Sequence, residues 1–260
     1  YTFDKTFGKH DVDAMVGMSY NRFHQETRSA TKLDPLTVGD KYITSISAAT
    51  GTTSATGGYT ESALISYLGR VNYAYDGKYL VQLTARRDGT SKLPQGNKWG
   101  NFYSGSVGWR ISGEDFFDVP AINDLKIRAN YGVLGNTNIG VWDYQSTINT
   151  APRAVLGASD KVYVGMTQSN LTNNDLVWES KTTANVGVDM TAFRSRFTVA
   201  AEWFLSQSKD LLVYLPILWT TGNEGGSPAT NAGSLRNTGV ELELGWNDRK
   251  GDFTYAVNLN

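Results

Sequence analysis

Cysteine is absent from the 260-residue chain, which excludes disulfide frameworks, thiol catalysis and cysteine-ligated metal. Histidine occurs only at positions 10 and 24. His10 sits at a short turn and His24 at the far end of the following strand, so ~3.3 Å per residue separates them by roughly 45 Å. That spacing disfavours a two-histidine metal site or a histidine dyad. The formal net charge is −1 and the pI about 6.2, leaving no basic footprint for nucleic acid. There is no G-x-x-x-x-G-K-[ST] phosphate loop, and Asp88-Gly89-Thr90 and Gly135-Asn136-Thr137 read as turn chemistry. Long apolar runs are missing too. The longest, LLVYLPILW at 211–219, is interrupted by Pro216, whereas a spanning helix needs ~20 apolar residues. Mean hydropathy is −0.35. None of this excludes a membrane β-barrel, in which half of every strand is polar.

What is present is alternation. Residues 62–88 read as two strands joined at Asp76-Gly77, a short-range hairpin signal. Ala63, Ile65, Tyr67, Gly69, Val71, Tyr73 and Tyr75 fall on one face, continued by Tyr79, Val81, Leu83 and Ala85 on the return strand. The opposite face takes Arg70, Asn72, Gln82, Thr84 and Arg86. Similar strands are expected at 1–5, 11–23, 102–112, 125–134, 180–190, 197–206, 238–246 and from 253 onward. Between them run long segments at 26–61, 88–101, 135–179 (with a small hairpin near 152–166) and 207–237, and short connections including 247–252.

Three regularities choose a membrane barrel over a soluble sandwich. Connections alternate long and short, as in outer-membrane barrels with short periplasmic turns and long extracellular loops. The apolar faces carry one charge, Arg87, beside a long loop. Outward aromatics gather toward the short turns, at Tyr73, Tyr75, Tyr79, Trp109, Phe197, Trp246 and Phe253, where an interfacial girdle belongs. The expected fold is all-β: an antiparallel up-and-down transmembrane β-barrel wall of about ten strands.

The chain resembles the barrel part of SusC/RagA-type TonB-dependent outer-membrane receptors of Bacteroidetes. The resemblance rests on YLGRVNYAYDGKYLVQLTARRDGTSKL and GNKWGNFYSGSVGWRISGEDFF within 67–117, and INDLKIRANYGVLGNTNIG at 122–140. It continues through LTNNDLVWESKTTANVGVDM at 171–190, KDLLVYLPI at 209–217 and NAGSLRNTGVELELGWNDRKGDFTYAVNLN at 231–260. It implies a 22-stranded barrel filled by an N-terminal plug domain, lidded by a SusD-like surface lipoprotein and driven through TonB to import oligosaccharides or peptides. Residues 1–260 then form part of that barrel domain, with plug and barrel C-terminus absent. The chain opens inside a β-like segment, without a charged and then apolar leader, and stops within an alternating run, so both ends read as cut. About ten strands of such a wall leave two open edges, which demand partners.

Two sets of residues carry the functional expectation. Lumen-facing charges divide into a basic group, Arg70, Arg86, Arg110, Lys126 and Arg128, and an acidic group, Asp189, Glu202, Glu241 and Glu243. They are expected to pair with a plug or with one another, although a water-filled lumen tolerates charge without any such role. Trp142, Tyr144 and Trp219 lie deep in long loops and are candidate substrate contacts, because the C–H faces of sugars stack on aromatic rings. Trp99 and Trp178, beside strand ends, read as structural. No cofactor or metal is expected, and lipid is the partner of the outer face. Two rival readings are a complete ten-stranded outer-membrane barrel enzyme, protease-like, and a structural or adhesive barrel. The enzyme wants acids and histidines at the extracellular rim, where only His24 qualifies.

Overall fold

The computed structural model describes residues 1–150, 152–157, 161–169, 171–218, 220 and 226–260. In chain order the strands are β1 (Thr2–Phe7), β2 (His10–Lys32), β3 (Thr37–Val38), β4 (Lys41–Tyr42), β5 (Thr53–Tyr75) and β6 (Tyr79–Thr90). Then follow β7 (Trp99–Arg110), β8 (Ile122–Asn136), β9 (Ile148–Asn149), β10 (Arg153–Leu156), β11 (Lys161–Val164) and β12 (Thr167–Gln168). The last are β13 (Glu179–Ala192), β14 (Phe197–Lys209), β15 (Leu212–Tyr214), β16 (Ala229–Asn231), β17 (Ser234–Lys250) and β18 (Phe253–Leu259). Ten of them form one sheet in the order β1-β2-β5-β6-β7-β8-β13-β14-β17-β18, each hydrogen-bonded to its sequence neighbour in the sheet. This is the expected antiparallel up-and-down wall.

Register puts the expected faces together. On the outer side Tyr73, Val81, Val107, Ala129, Val186, Trp203 and Val240 form one continuous row across seven strands. The row one step nearer the long loops is Val71, Leu83, Gly105, Tyr131, Ala184, Leu205 and Thr238. Neither row contains a charge. Toward the strand ends the outer register does take charge beyond Arg87: Lys5 lies opposite Val12, and Asp248 and Lys250 lie opposite Tyr255 and Phe253. Tyr75, Tyr79 and Trp109 form a string of rings at centroid spacings of 6.3 and 6.5 Å, and Phe193, Phe197 and Trp246 form another. Both follow the short-turn side. The hairpin turn has the left-handed pair its Asp-Gly sequence calls for, φ 52° at Asp76 and 64° at Gly77.

The strands outrun their apolar patterns. Residues expected to be a loop at 26–61 are strand up to Lys32 and again from Thr53. Asp88-Gly89-Thr90 is not a turn but the end of β6, with Asp88 and Thr90 buried. Residues 247–250 belong to β17, which leaves only Gly251 and Asp252 to turn. The hydrogen-bond ladder needs no apolar face to continue, and Thr-rich stretches favour extended backbone. Within the long segment 135–179, β10 and β11 pair as the expected small hairpin.

By compactness the chain divides into Tyr1–Tyr20 with Leu64–Asn260, and Asn21–Ala63. The smaller unit holds the β3–β4 ribbon and an ion cluster in which Arg22 meets Glu61 at 2.8 Å. His24 Nδ1 lies 3.0 Å from Glu61 and Nε2 3.4 Å from Glu26, and the imidazole stacks on Tyr59. In the larger unit the main buried cluster is not between strands. It comprises Leu93, Ile139, Leu176 and Ala229, with Tyr144, Trp178 and Leu212 packed against it. All of these lie in or beside the long connections.

Candidate functional site: the inner face and the loop base

Facing the lumen, alternation brings charges from separate strands into common rows. One row carries Leu80, Gly108, Arg128, Gly187, Glu202 and Glu241; the row nearer the short turns carries Arg110, Lys126, Asp189, Ala200 and Glu243. Arg128 is the hub. Its Nε donates to both oxygens of Asp189 at 3.2 and 3.1 Å, and its Nη1 donates to Glu202. Lys126 Nζ adds a second cation 3.1 Å from Asp189. Asn185 Nδ2 donates to the other oxygen of Glu202 at 2.8 Å. Charge-assisted bonds of this kind are the stronger ones, and half-burial shields them from solvent.

Glycine makes this reach possible. Gly187 stands between Arg128 and Glu202 in the row, and a Cβ there would lie 3.1 Å from the guanidinium carbon of Arg128 and from the Ala201 carbonyl oxygen. The missing side chain is the gap through which the guanidinium crosses β13. Glu202 and Glu241 are direct cross-strand neighbours, a like-charge placement that is unfavourable without a cation. Arg128 supplies one to Glu202. The side-chain carboxylates of Glu241 and Glu243 have no ion-pair or hydrogen-bond partner among the described residues.

The expected division into basic and acidic groups is therefore only partly kept, because acids also occur inside the basic stretch. Arg86 Nε bonds both oxygens of Asp88 at 2.7 and 2.8 Å, and its Nη2 donates to Ser66 at 3.1 Å. Arg110 pairs with Asp124 at 3.1 Å. Asp88 and Asp124 lie where loop and connector were expected, and a period of two carried past the apolar residues finds them. Arg70 is placed apart from these pairs, its Nε buried without a partner. On the same face a concavity of about 400 Å³ has Asp11, Asp13 and Asn72 on one side and Lys126 and Arg128 on the other. Within the first of these groups Asn72 donates to Asp13 at 2.7 Å.

The loop aromatics separate into different settings. Trp142 is about half exposed (51%). Tyr144 leans on the buried cluster, and its hydroxyl accepts from Gln145 at 2.9 Å. Trp219 lies outside the described residues. Trp178 meets Phe102 edge-on at 5.3 Å and donates from Nε1 to the Lys98 carbonyl at 3.3 Å. Trp99 stacks on Tyr67 with Arg87 above its ring. Beside Trp142, Asp143 accepts from the Gly140 amide at 2.5 Å and from the Tyr214 hydroxyl. The carboxylate pushes the Tyr214 hydroxyl above its ordinary pKa.

At the short-turn end, Lys9 meets Asp76 at 2.8 Å. That hydrogen bond raises the ammonium above its ordinary value and holds the carboxyl below its own. Glu114 accepts from Trp109 Nε1 at 3.0 Å, and the Tyr79 hydroxyl, followed by that indole, holds its carboxyl low. Among the described residues no group of three or more His, Asp or Glu side chains converges as metal ligands. Among the described residues no helix is long and apolar enough to cross a membrane, which says nothing of a crossing by strands.

A charge-free outer band, rings along the short turns and an ion-paired inner face together define an outer-membrane β-barrel wall. All of residues 1–260 match the family described as TonB dependent receptor-like, beta-barrel, and the chain belongs to that family. Barrels of this family are outer-membrane proteins. TonB-dependent receptor P3 of Formosa agariphila is 30% identical over 261 residues, which is 100% of this chain and 26% of that protein. TonB-dependent receptor SusC of Bacteroides thetaiotaomicron is 30% identical over 259 residues, 98% of this chain and 25% of that protein. The RagAB peptide importer in its open-open state superposes with a TM-score of 0.81 at 23% identity, over 99% of this chain and 27% of that one. The siderophore receptor PirA from Acinetobacter baumannii gives 0.57 at 14% identity, over 99% and 34%. The chain thus spans about a quarter of the length of the curated relatives it matches. These relatives are named as receptors, not enzymes, and the SusC/RagA-type resemblance holds.

Proposed function

We propose that this chain is part of the transport wall of a SusC/RagA-type receptor that imports oligosaccharides or peptides. Its own plug domain, TonB acting through that plug, and a SusD-like surface lipoprotein are the partners of the whole receptor. The observation that carries the reading is the inner face itself. Arg128, Asp189 and Glu202 form a partly buried ion network on the lumen side, and the carboxylates of Glu241 and Glu243 stand beside it without partners among the described residues. A lumen holding water alone needs no such network, whereas a plug seated against the wall needs fixed charges of both signs. Of the two described candidates Trp142 is the better presented to a substrate, since Tyr144 is engaged with the loop base.

The test uses the full-length receptor as the sole importer of its strain, supplied with panels of oligosaccharides and peptides. Reversing Arg110 and Arg128 to Glu should lower uptake at least severalfold and expose the plug to added protease. Unchanged uptake with a protected plug contradicts the assignment.

A further inference from the structure

Among the side chains that tie two of the long loops, one makes three main-chain bonds. Asn231 belongs to β16, where its backbone pairs with Leu212. Its Oδ1 accepts from the Val177 amide at 2.9 Å, and its Nδ2 donates to the Val177 carbonyl at 3.0 Å. The same Nδ2 donates to the Asp210 carbonyl at 2.8 Å. The side-chain amide therefore makes with Val177 the two-bond exchange that a backbone partner makes in an antiparallel ladder. It satisfies three main-chain groups drawn from two connections, 137–178 and 210–233.

Only asparagine fits this duty. It carries donor and acceptor on one short planar group, whereas aspartate lacks the donor and glutamine is a methylene too long. Secondary ties run along the same seam. Asn173 Nδ2 donates to the Ala229 carbonyl at 2.9 Å, Asn97 Nδ2 to the Leu176 carbonyl at 3.0 Å, and the Leu212 amide to Glu179 Oε2 at 3.2 Å. Beneath them Leu93 and Leu176 are fully buried.

We propose that Asn231 is the positioning residue that makes the bases of loops 137–178 and 210–233 a single body, so that the described segments 137–150, 171–178, 210–218 and 226–233 move at the mouth of the wall together. The seam is built for coupling. Freeing Asn231 releases bonds on both loops at once, because no other described side chain bridges Val177 to Asp210.

Hydrogen exchange on the full-length receptor tests this directly. Asn231→Ala should speed amide exchange about tenfold or more at 175–178 and at 210–214 together. Mid-strand amides of Val186 and Val199 should remain protected, which shows the wall still folded. Asn231→Asp should loosen both segments at neutral pH, and acidification that protonates the new carboxyl should restore part of the protection by returning one donor. Loosening confined to 210–214, or wild-type exchange in the Asn231→Asp variant, overturns the proposal. A measurement without any change at 231 guards against misfolding. Spin labels at Trp142→Cys and Leu215→Cys should give one narrow distance distribution, and a broad one overturns the single-body claim.

Discussion

The mid-wall and the loop base solve opposite solvent problems with the same chain. In the mid-wall, large apolar side chains remain open: Val107 is 55% exposed, Tyr131 57% and Val240 74%. At the loop base Leu93 and Leu176 are at 0%. A water-soluble sheet with that outer face would bury it against a second layer. Here the protein buries apolar groups against itself chiefly where the strands have ended, which is what a wall whose apolar band meets hydrocarbon requires. The polar groups differ likewise. On the inner face Arg110, Lys126 and Arg128 are met by acids on other strands, whereas at the loop base several carbonyls and amides are met by asparagine side chains.

Substitutions in each region break or sharpen that contrast. Leu176→Ala removes a fully buried side chain and should cost about 2–5 kcal/mol of loop-base stability. Limited proteolysis of the long loops reads this, and the wall should stay intact. Val186→Arg places a charge in the middle of the outer band and should cost about 2–4 kcal/mol in lipid, whereas Ser106→Arg on the inner face should cost far less. Denaturant titration in vesicles compares the two. Equal costs would erase the distinction between the faces. Gly187→Val fills the gap used by Arg128 and should cost about 1–3 kcal/mol through overpacking, while a small inner-face change such as Ser106→Ala should not.

The smallest effect is at the short turns. The folded-state pKa of Asp76 is depressed, so its contribution is present above the ordinary 3.8 and is lost as pH falls below it. Lys9 is raised, so its contribution is full below the ordinary 10.5 and is lost as pH climbs past it. Lys9→Ala should therefore flatten both limbs of a stability–pH profile slightly and leave the neutral plateau almost level. Both groups are exposed, so the change is small.

Much of the wall was legible because alternation is local. Val71, Tyr73 and Tyr75 declare a face within five residues, and Asp76-Gly77 declares the turn. Strand ends were not legible, since the apolar period stops where lipid stops and the ladder runs on, as Asp88 and Lys250 show. Inner charges such as Arg128 and Glu202 were visible by phase. Their pairing was not, because it depends on register across β13 and on the absence of a side chain at Gly187. The loop base was hidden altogether. Leu93, Ile139, Leu176 and Ala229 come from four distant segments without periodicity, and Asn231 looks like any loop asparagine until Val177 lies beside it.

The central claim is that acyl chains cover the uncharged rows of the sheet. Single nitroxide labels walked along positions 199–206 of the full-length receptor in bilayers test it most directly, by relaxation with oxygen and with a water-soluble nickel complex. Positions 199, 201, 203 and 205 should respond to oxygen, and 200, 202, 204 and 206 should not share that response. Nickel accessibility at 201 and 203, or a profile without a period of two, would contradict the account.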